Sequence, residues 1–362
     1  MTTRPLIIAA LAMGGLAGLV PQALPTIPDE HPRGYVCYLR PRALQIDGRL
    51  DDEAWRDAPW SDRFVDIEGA RKPAPALSTR VKMLWDDQFF YVAAELIEPH
   101  LWATLTAHDA VIFHDNDFEV FIDPNGDNHE YYEFEINALG TGWDLFLPRP
   151  YKDGGKALNA WEIPGLRSAV HLDGTLNDSR DTDRSWSVEL AVPWKVLAET
   201  AGGPAPRGDG DQWRVNFSRV QWTLDHSSGA YKKVAGVPEH NWVWSPQHVI
   251  DMHRPESWGY VQFSTGQPGA ATFRPDPSHG ARHWLHQVYY AQQAYRKVHQ
   301  RFATGLDELK VPSASNPALG DPRMRSTDHA FEASIALRPP GGTPFRLHIR
   351  QDSLVWWADP VR

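Results

Sequence analysis

The chain has 362 residues, with 36 Lys and Arg against 46 Asp and Glu, giving a formal charge of -10. An acidic surface repels phosphate backbones, so nucleic acid is excluded as a natural partner. Hydrophobic residues make up 42% and charged residues 23%, values of a chain able to bury a core. A single cysteine, Cys37, rules out an internal disulfide, while 16 Trp supply either a thick aromatic core or platforms for stacking on sugar rings.

In chain order, Arg4 precedes an apolar run from Leu6 to Val20, then Pro21, Gln22 and Ala23. That pattern predicts a signal peptide over residues 1–23 and an exported protein, whether periplasmic, cell-surface or secreted. No later segment is apolar enough for a stable membrane span. Residues 35–264 read as short alternating strands separated by Gly, Pro, Asn and Asp. Arg80–Trp85 and Phe89–Leu96 form a predicted hairpin around Asp86 and Asp87, and Asp117–Asp123 with Tyr131–Asn137 another. Trp186–Val192 alternates up to Pro193, and Trp213–Trp222 alternates again. Strands without intervening helices predict a mainly β chain, an antiparallel β-sandwich. Residues 265–310 read as a linker and an amphipathic helix from His283 to Arg301, its apolar face Trp284, Val288, Ala291, Tyr295, Val298 and Phe302 packed on the sandwich. Residues 311–362 form a C-terminal extension with a hairpin, Phe331–Leu337 and Phe345–Arg350, around Pro339, Pro340, Gly341 and Gly342.

Chemistry concentrates between Asp115 and Asn137. Side chains alternate along a strand, so Phe118, Val120 and Ile122 oppose Asp117, Glu119 and Phe121. A turn centred near Asp127 sets Glu119 opposite Glu135 and Asp117 opposite Asn137. Like charges facing each other destabilise a sheet by roughly 0.2–1 kcal/mol. The offset comes from a cation, a shared proton or an arginine, and Arg214 on the Trp213–Trp222 strand is the candidate arginine. Asp123, Asn125 and Asp127 offer oxygens of the kind calcium takes. His100, His108 and His114 match no metal-binding spacing, and His283 and His286 lack a third ligand. Trp143, Asp144 and Trp161 are further groove candidates.

Three segments together resemble a known family. Ile46-Asp47-Gly48-Arg49-Leu50-Asp51 with Ala54-Trp55, then Asp117 to Asp123, then Trp186-Ser187-Val188-Glu189 running into Val192-Pro193-Trp194, are similar to family 9-like carbohydrate-binding modules, a DOMON-related group of β-sandwiches. The resemblance spans about Gln45 to Phe263. It implies carbohydrate binding, an association with polysaccharide catabolism and glycoside hydrolases, and structural calcium. It sets Glu119 and Asn137 on the family's binding positions and one stacking Trp at Trp242 or Trp244. The chain departs from the pattern at Phe113, where the family has a second Trp, and at Glu135, where it has a basic residue. The implied ligand-binding set is Phe113, Asp117, Glu119, Glu135, Asn137, Arg214, Trp242 and Trp244. No catalytic residue is assigned, although a Glu119 and Glu135 pair is the apparatus of a glycoside-cleaving enzyme. A haem or redox module using Met252 and His253, and a protein-binding sandwich, are the remaining alternatives.

Overall fold

The computed structural model describes residues 28–358, except 41, 207, 315 and 339–342. The predicted signal peptide and the Pro339 to Gly342 turn lie outside the described residues. The elements in chain order are β1 (Gly34–Leu39), α1 (Glu53–Asp57), β2 (Val65–Asp66), β3 (Thr79–Trp85), β4 (Phe89–Ile97), β5 (Asp117–Asp123), β6 (Tyr131–Asn137), β7 (Gly142–Leu147), β8 (Arg167–Asp173), β9 (Ser185–Pro193) and α2 (Trp194–Leu197). Then come β10 (Gln212–Gln221), β11 (Leu224–Asp225), β12 (Lys232–Lys233), β13 (His240–Val243), β14 (Gly259–Ser264), α3 (His279–His299), α4 (Leu306–Leu309), β15 (Leu319–Ser326), β16 (Phe331–Leu337), β17 (Phe345–Arg350) and β18 (Val355–Ala358).

Twelve strands form one curled sheet, in the order β7-β6-β5-β10-β14-β1-β3-β4-β9-β8, with β13 paired to β10 and β2 paired to β13. Period-two alternation turns one face of each strand inward. Phe118, Val120 and Ile122 of β5 meet Tyr132, Phe134 and Ile136 of β6 and Val215 and Phe217 of β10. Val81, Met83, Val92, Ala94, Val188 and Leu190 of β3, β4 and β9 complete the same core. The sandwich is therefore as predicted, with one difference: β1 runs parallel to both β14 and β3. Long connections separate β1 from both neighbours, which leaves room for the crossovers that parallel pairing requires.

The first and third family-like motifs are joined through one side chain. Glu189 on β9 points to the far side of the sheet, where Oε2 accepts the Asp47 and Gly48 N–H groups at 2.9 and 2.8 Å and Oε1 accepts the Trp55 indole N–H at 2.6 Å. Gly48 has φ +85°, and a Cβ there would come within 2.5 Å of the Val170 and His171 backbone. Only glycine fits that left-handed turn against β8.

The C-terminal part builds its own core. Strands β15 to β18 form an antiparallel meander, so the predicted hairpin is its inner pair, β16 and β17. Helix α3 lays Trp284, Leu285, Val288, Tyr289 and Ala291 against Phe331, Ala333, Ile335, Leu347 and Ile349. The helix thus packs its apolar face on this meander, and meets the sandwich through polar groups. Arg282 donates to the Gly126 carbonyl at 2.6 Å, His286 Nε2 accepts from Asn128 at 3.0 Å, and the Tyr290 hydroxyl donates to Glu256. Val298, expected on the apolar face, is 63% exposed because the last turn of α3 runs past the meander. The Gly- and Pro-rich stretch before the helix is tied to the sheet by Tyr38, whose hydroxyl donates to Ala271 O at 3.1 Å, and by Gln262, which accepts from Arg274 N at 2.8 Å.

Candidate functional site

The predicted register is observed: Glu119 faces Glu135, Asp117 faces Asn137, and Phe121 faces Glu133. These side chains lie on the outer face of the β5–β6 layer, opposite the core. On the other flank of β5, Ser218 faces Glu119, Asn216 faces Phe121 and Arg214 faces Asp123. Strand β10 therefore lies in the expected sheet, but its register holds Arg214 at the far end of the face. The guanidinium donates to the Trp258 and Glu256 carbonyls and stacks on Tyr260. Arg214 is not the counter-charge of the glutamates.

The acidic end of this face is roofed. Asp115 accepts the Thr104 and Leu105 N–H groups at 2.7 and 2.8 Å and the Thr104 hydroxyl at 2.8 Å, folding residues 104–116 over the strands. Phe113 N–H donates to Glu135 Oε2 at 3.0 Å. As a result Asp117, Glu119, Glu133 and Glu135 are each at most 5% exposed. Carboxylate oxygens of Asp117, Glu119 and Glu135 come within 4.8 Å of one another. Burial pushes the Glu119 carboxyl up to about 7. Burial, then the neighbouring carboxylates, push Asp117, Glu133 and Glu135 up as well. Desolvation and like charge both favour the neutral acid in this layer.

Several expected ligand groups are committed elsewhere. The Asn137 amide donates to Leu105 O and Asp115, while its oxygen accepts from Leu139 and Thr141 N–H. All its groups serve the roof and the β6–β7 turn. Trp242 and Trp244 are 5% and 1% exposed within the sandwich core, so neither presents a stacking face. The reason is register: Trp242 pairs with Arg219 and Val243 with Ser218, which turns both indoles inward. The half-buried aromatic beside Phe113 is Trp222, whose indole N–H donates to Phe113 O at 2.9 Å and whose ring lies 3.5 Å from Lys233 Nζ. Trp143 is buried beside Glu135 on β7, and Trp161 packs on Tyr132 and Phe146.

The turn proposed for calcium closes on itself. Asp123 accepts Gly126 and Asn128 N–H, Asn125 accepts Asp127 N–H, and Asp127 accepts His129 N–H. These oxygens cap backbone donors of the turn itself. His253 is enclosed by Phe121, Tyr131 and Tyr151, with Nδ1 2.9 Å from the Tyr131 hydroxyl.

The open space lies at the other end of the outer face. A cleft of about 750 Å³ runs between the sandwich and the first turns of α3. Arg214 and Ser245 stand at its base, Asp66, Glu68 and Arg71 on one rim, and His279 and His283 on the helix side. Burial pushes the His279 imidazole down to about 3 and His286 to about 4. His286 donates through Nδ1 to Arg282 O at 2.8 Å, which leaves Nε2 to accept from Asn128. Arg214 Nε, His279 Nε2 and His283 Nδ1 are buried without hydrogen-bond partners. Such nitrogens are costly unless a ligand or water meets them. The sequence pointed to His283 and His286, but the cleft joins segments more than 200 residues apart, and no spacing encodes it.

The chain is similar to several known proteins. Residues 46–205 match the family model described as carbohydrate family 9 binding domain-like. The chain is 28% identical over 198 residues to "Exoglucanase XynX" of Acetivibrio thermocellus, covering 53% of this chain and 16% of that protein. It is 27% identical over 157 residues to "Endo-1,4-beta-xylanase A" of Thermoanaerobacterium saccharolyticum, covering 43% of this chain and 11% of that protein. This chain thus spans under a fifth of either relative. Among solved structures, a putative carbohydrate-binding protein from Bacteroides uniformis aligns with a TM-score of 0.47 and 16% identity, over 64% of this chain and 100% of that one. A family 9 module from Caldicellulosiruptor kristjanssonii in complex with cellotriose aligns at 0.42 and 14%, over 67% of this chain and 100% of that one. Over residues 46–205, then, the chain is similar to the carbohydrate family 9 binding domain-like family.

Proposed function

We propose that this is an exported carbohydrate-binding protein of polysaccharide breakdown, and that its glycan lies in the cleft between β10 and α3. The family 9-like segment and the two glycan-hydrolase relatives support the ligand class. The observation that carries the site is this cleft, which has Arg214 of β10 at its base. Its rims alternate carboxylates with cationic and imidazole groups, a mixture of donors and acceptors suited to sugar hydroxyls. Glu119 and Asn137 lie under the roof and act on the ligand only by shaping the face. Binding without cleavage is the favoured activity, because a glycosidic bond cannot reach between Glu119 and Glu135 while both are buried.

The test is calorimetric titration with cello- and xylo-oligosaccharides, followed by product analysis. Arg71→Ala and His283→Ala should weaken binding about tenfold each, as expected for removal of a ligand hydrogen bond, and Glu119→Gln should leave it unchanged. Loss on Glu119→Gln with no effect of the cleft variants would move the site under the roof. Absence of binding to either series, or release of shorter products, would overturn the reading.

A further inference from the structure

The loop that roofs the acidic face carries a group of side chains that the glycan reading does not use. His108 and Asp109 lie on it side by side, Asp144 projects from β7, and Glu162 follows Trp161 in the next connection. His108 Nε2 stands 3.5 Å from Asp109 Oδ1, 3.6 Å from Asp144 Oδ1 and 3.1 Å from Glu162 Oε1. One atom from each residue falls within 4.8 Å of every other. Three segments far apart in sequence thus bring one imidazole and three carboxylates to a single point.

The arrangement is prepared on both sides. His108 Nδ1 lies 3.1 Å from the Gly142 carbonyl, so it carries the proton in the neutral ring and leaves the Nε2 lone pair facing the carboxylates. The Asp144 side chain is only 4% exposed. Its Oδ2 accepts the Ile163 N–H, while Oδ1 accepts no hydrogen bond and faces His108. Asp109 Oδ1 is buried without a hydrogen-bond partner. A protonated His108 would balance one of the three negative charges and leave two. A buried carboxylate oxygen with neither a donor nor a counter-charge is costly.

Ligand spacing selects the ion. Bonds of about 2.0–2.2 Å in a tetrahedron hold ligand atoms about 3.3–3.6 Å apart, close to the separations around His108. Calcium takes six to eight oxygens at longer distances, whereas imidazole suits zinc and its neighbours. We propose that His108, Asp109, Asp144 and Glu162 bind a divalent transition-metal ion, zinc by fit. The ion would tie the roof over the acidic face to β7 and to the connection that follows it. This inference stands apart from the glycan reading, since it concerns the far side of the roof from the cleft.

The experiment is titration of the full chain, without a histidine tag and after chelator treatment, with zinc chloride and separately with calcium chloride. One zinc per chain is expected, with a dissociation constant in the micromolar range or tighter. His108→Ala and Glu162→Gln alter exposed side chains, so both should fold. Each should weaken zinc by about 10–100-fold, while the chelated proteins melt like the parent. Cobalt should give visible absorption bands of a tetrahedral site, lost in His108→Ala. No zinc binding at millimolar concentration, zinc binding untouched by both variants, or calcium bound in preference to zinc would each overturn the proposal. Oligosaccharide titration of the same variants keeps the two readings apart, because glycan binding should persist in both.

Discussion

Two buried carboxylate sites sit behind the two layers of this sandwich, and they are built in opposite ways. Glu189, behind β9, has three donors within 2.9 Å and no acidic neighbour on its own strand face. Glu119, behind β5, has Glu135 opposite it and Asp117 and Glu133 beside it. Burial pushes each carboxyl up to about 7, yet the first is a clasp and the second a store of protons. Buried acids stabilise a fold when the fold supplies their hydrogen bonds, and weaken it at high pH when neighbours supply more charge.

The largest break of that comparison is Glu189→Ala. It strands the Asp47, Gly48 and Trp55 donors, and the expected loss is about 3–5 kcal/mol in denaturant unfolding. Glu189→Gln, which keeps one acceptor oxygen, should cost less than half as much. Next is Gly48→Ala, which strains a left-handed residue against the Val170 and His171 backbone. A loss of roughly 1–3 kcal/mol is expected. A pH series sharpens the contrast. Glu119 and Glu189 have folded values near 7 against about 4.5 unfolded, so the native state binds more protons between those limits. Their contribution is complete below about pH 4.5 and is lost as pH rises through about 7. Unfolding midpoints should therefore fall from about pH 5 to pH 8, and Glu119→Gln with Glu135→Gln should flatten that slope. The smallest effect is Val298→Glu on the exposed end of α3, expected within about 0.5 kcal/mol of the parent. A larger loss there would mean that this surface is covered.

Much of the polar site was readable before any coordinates. The apolar alternation of Phe118, Val120 and Ile122 against Phe134 and Ile136, with a turn of known length between, admits one register that keeps both core faces together. That register put Glu119 against Glu135. Arg214 was read onto the right strand but the wrong rung, because its neighbour's register depends on a connection of some ninety residues. Trp242 and Trp244 were read outward although they fill the core. An aromatic near a predicted site has the same composition signal whichever way it points.

Period and turn chemistry alone determined the strands, the two faces of each, the β5–β6 pairing and the existence of α3, because these depend on neighbours within about twenty residues. Only the tertiary structure decided which polar face is roofed and which stays open. The roof rests on Asp115 reaching back to Thr104 and Leu105, the cleft on α3 docking across residues 28–33 and 65–74, and the His108 cluster on two loops meeting strand β7. Alternation says that a side chain points away from the core; what it then meets is set by segments whose approach costs loop entropy, and is stabilised by hydrogen bonds that no local pattern records.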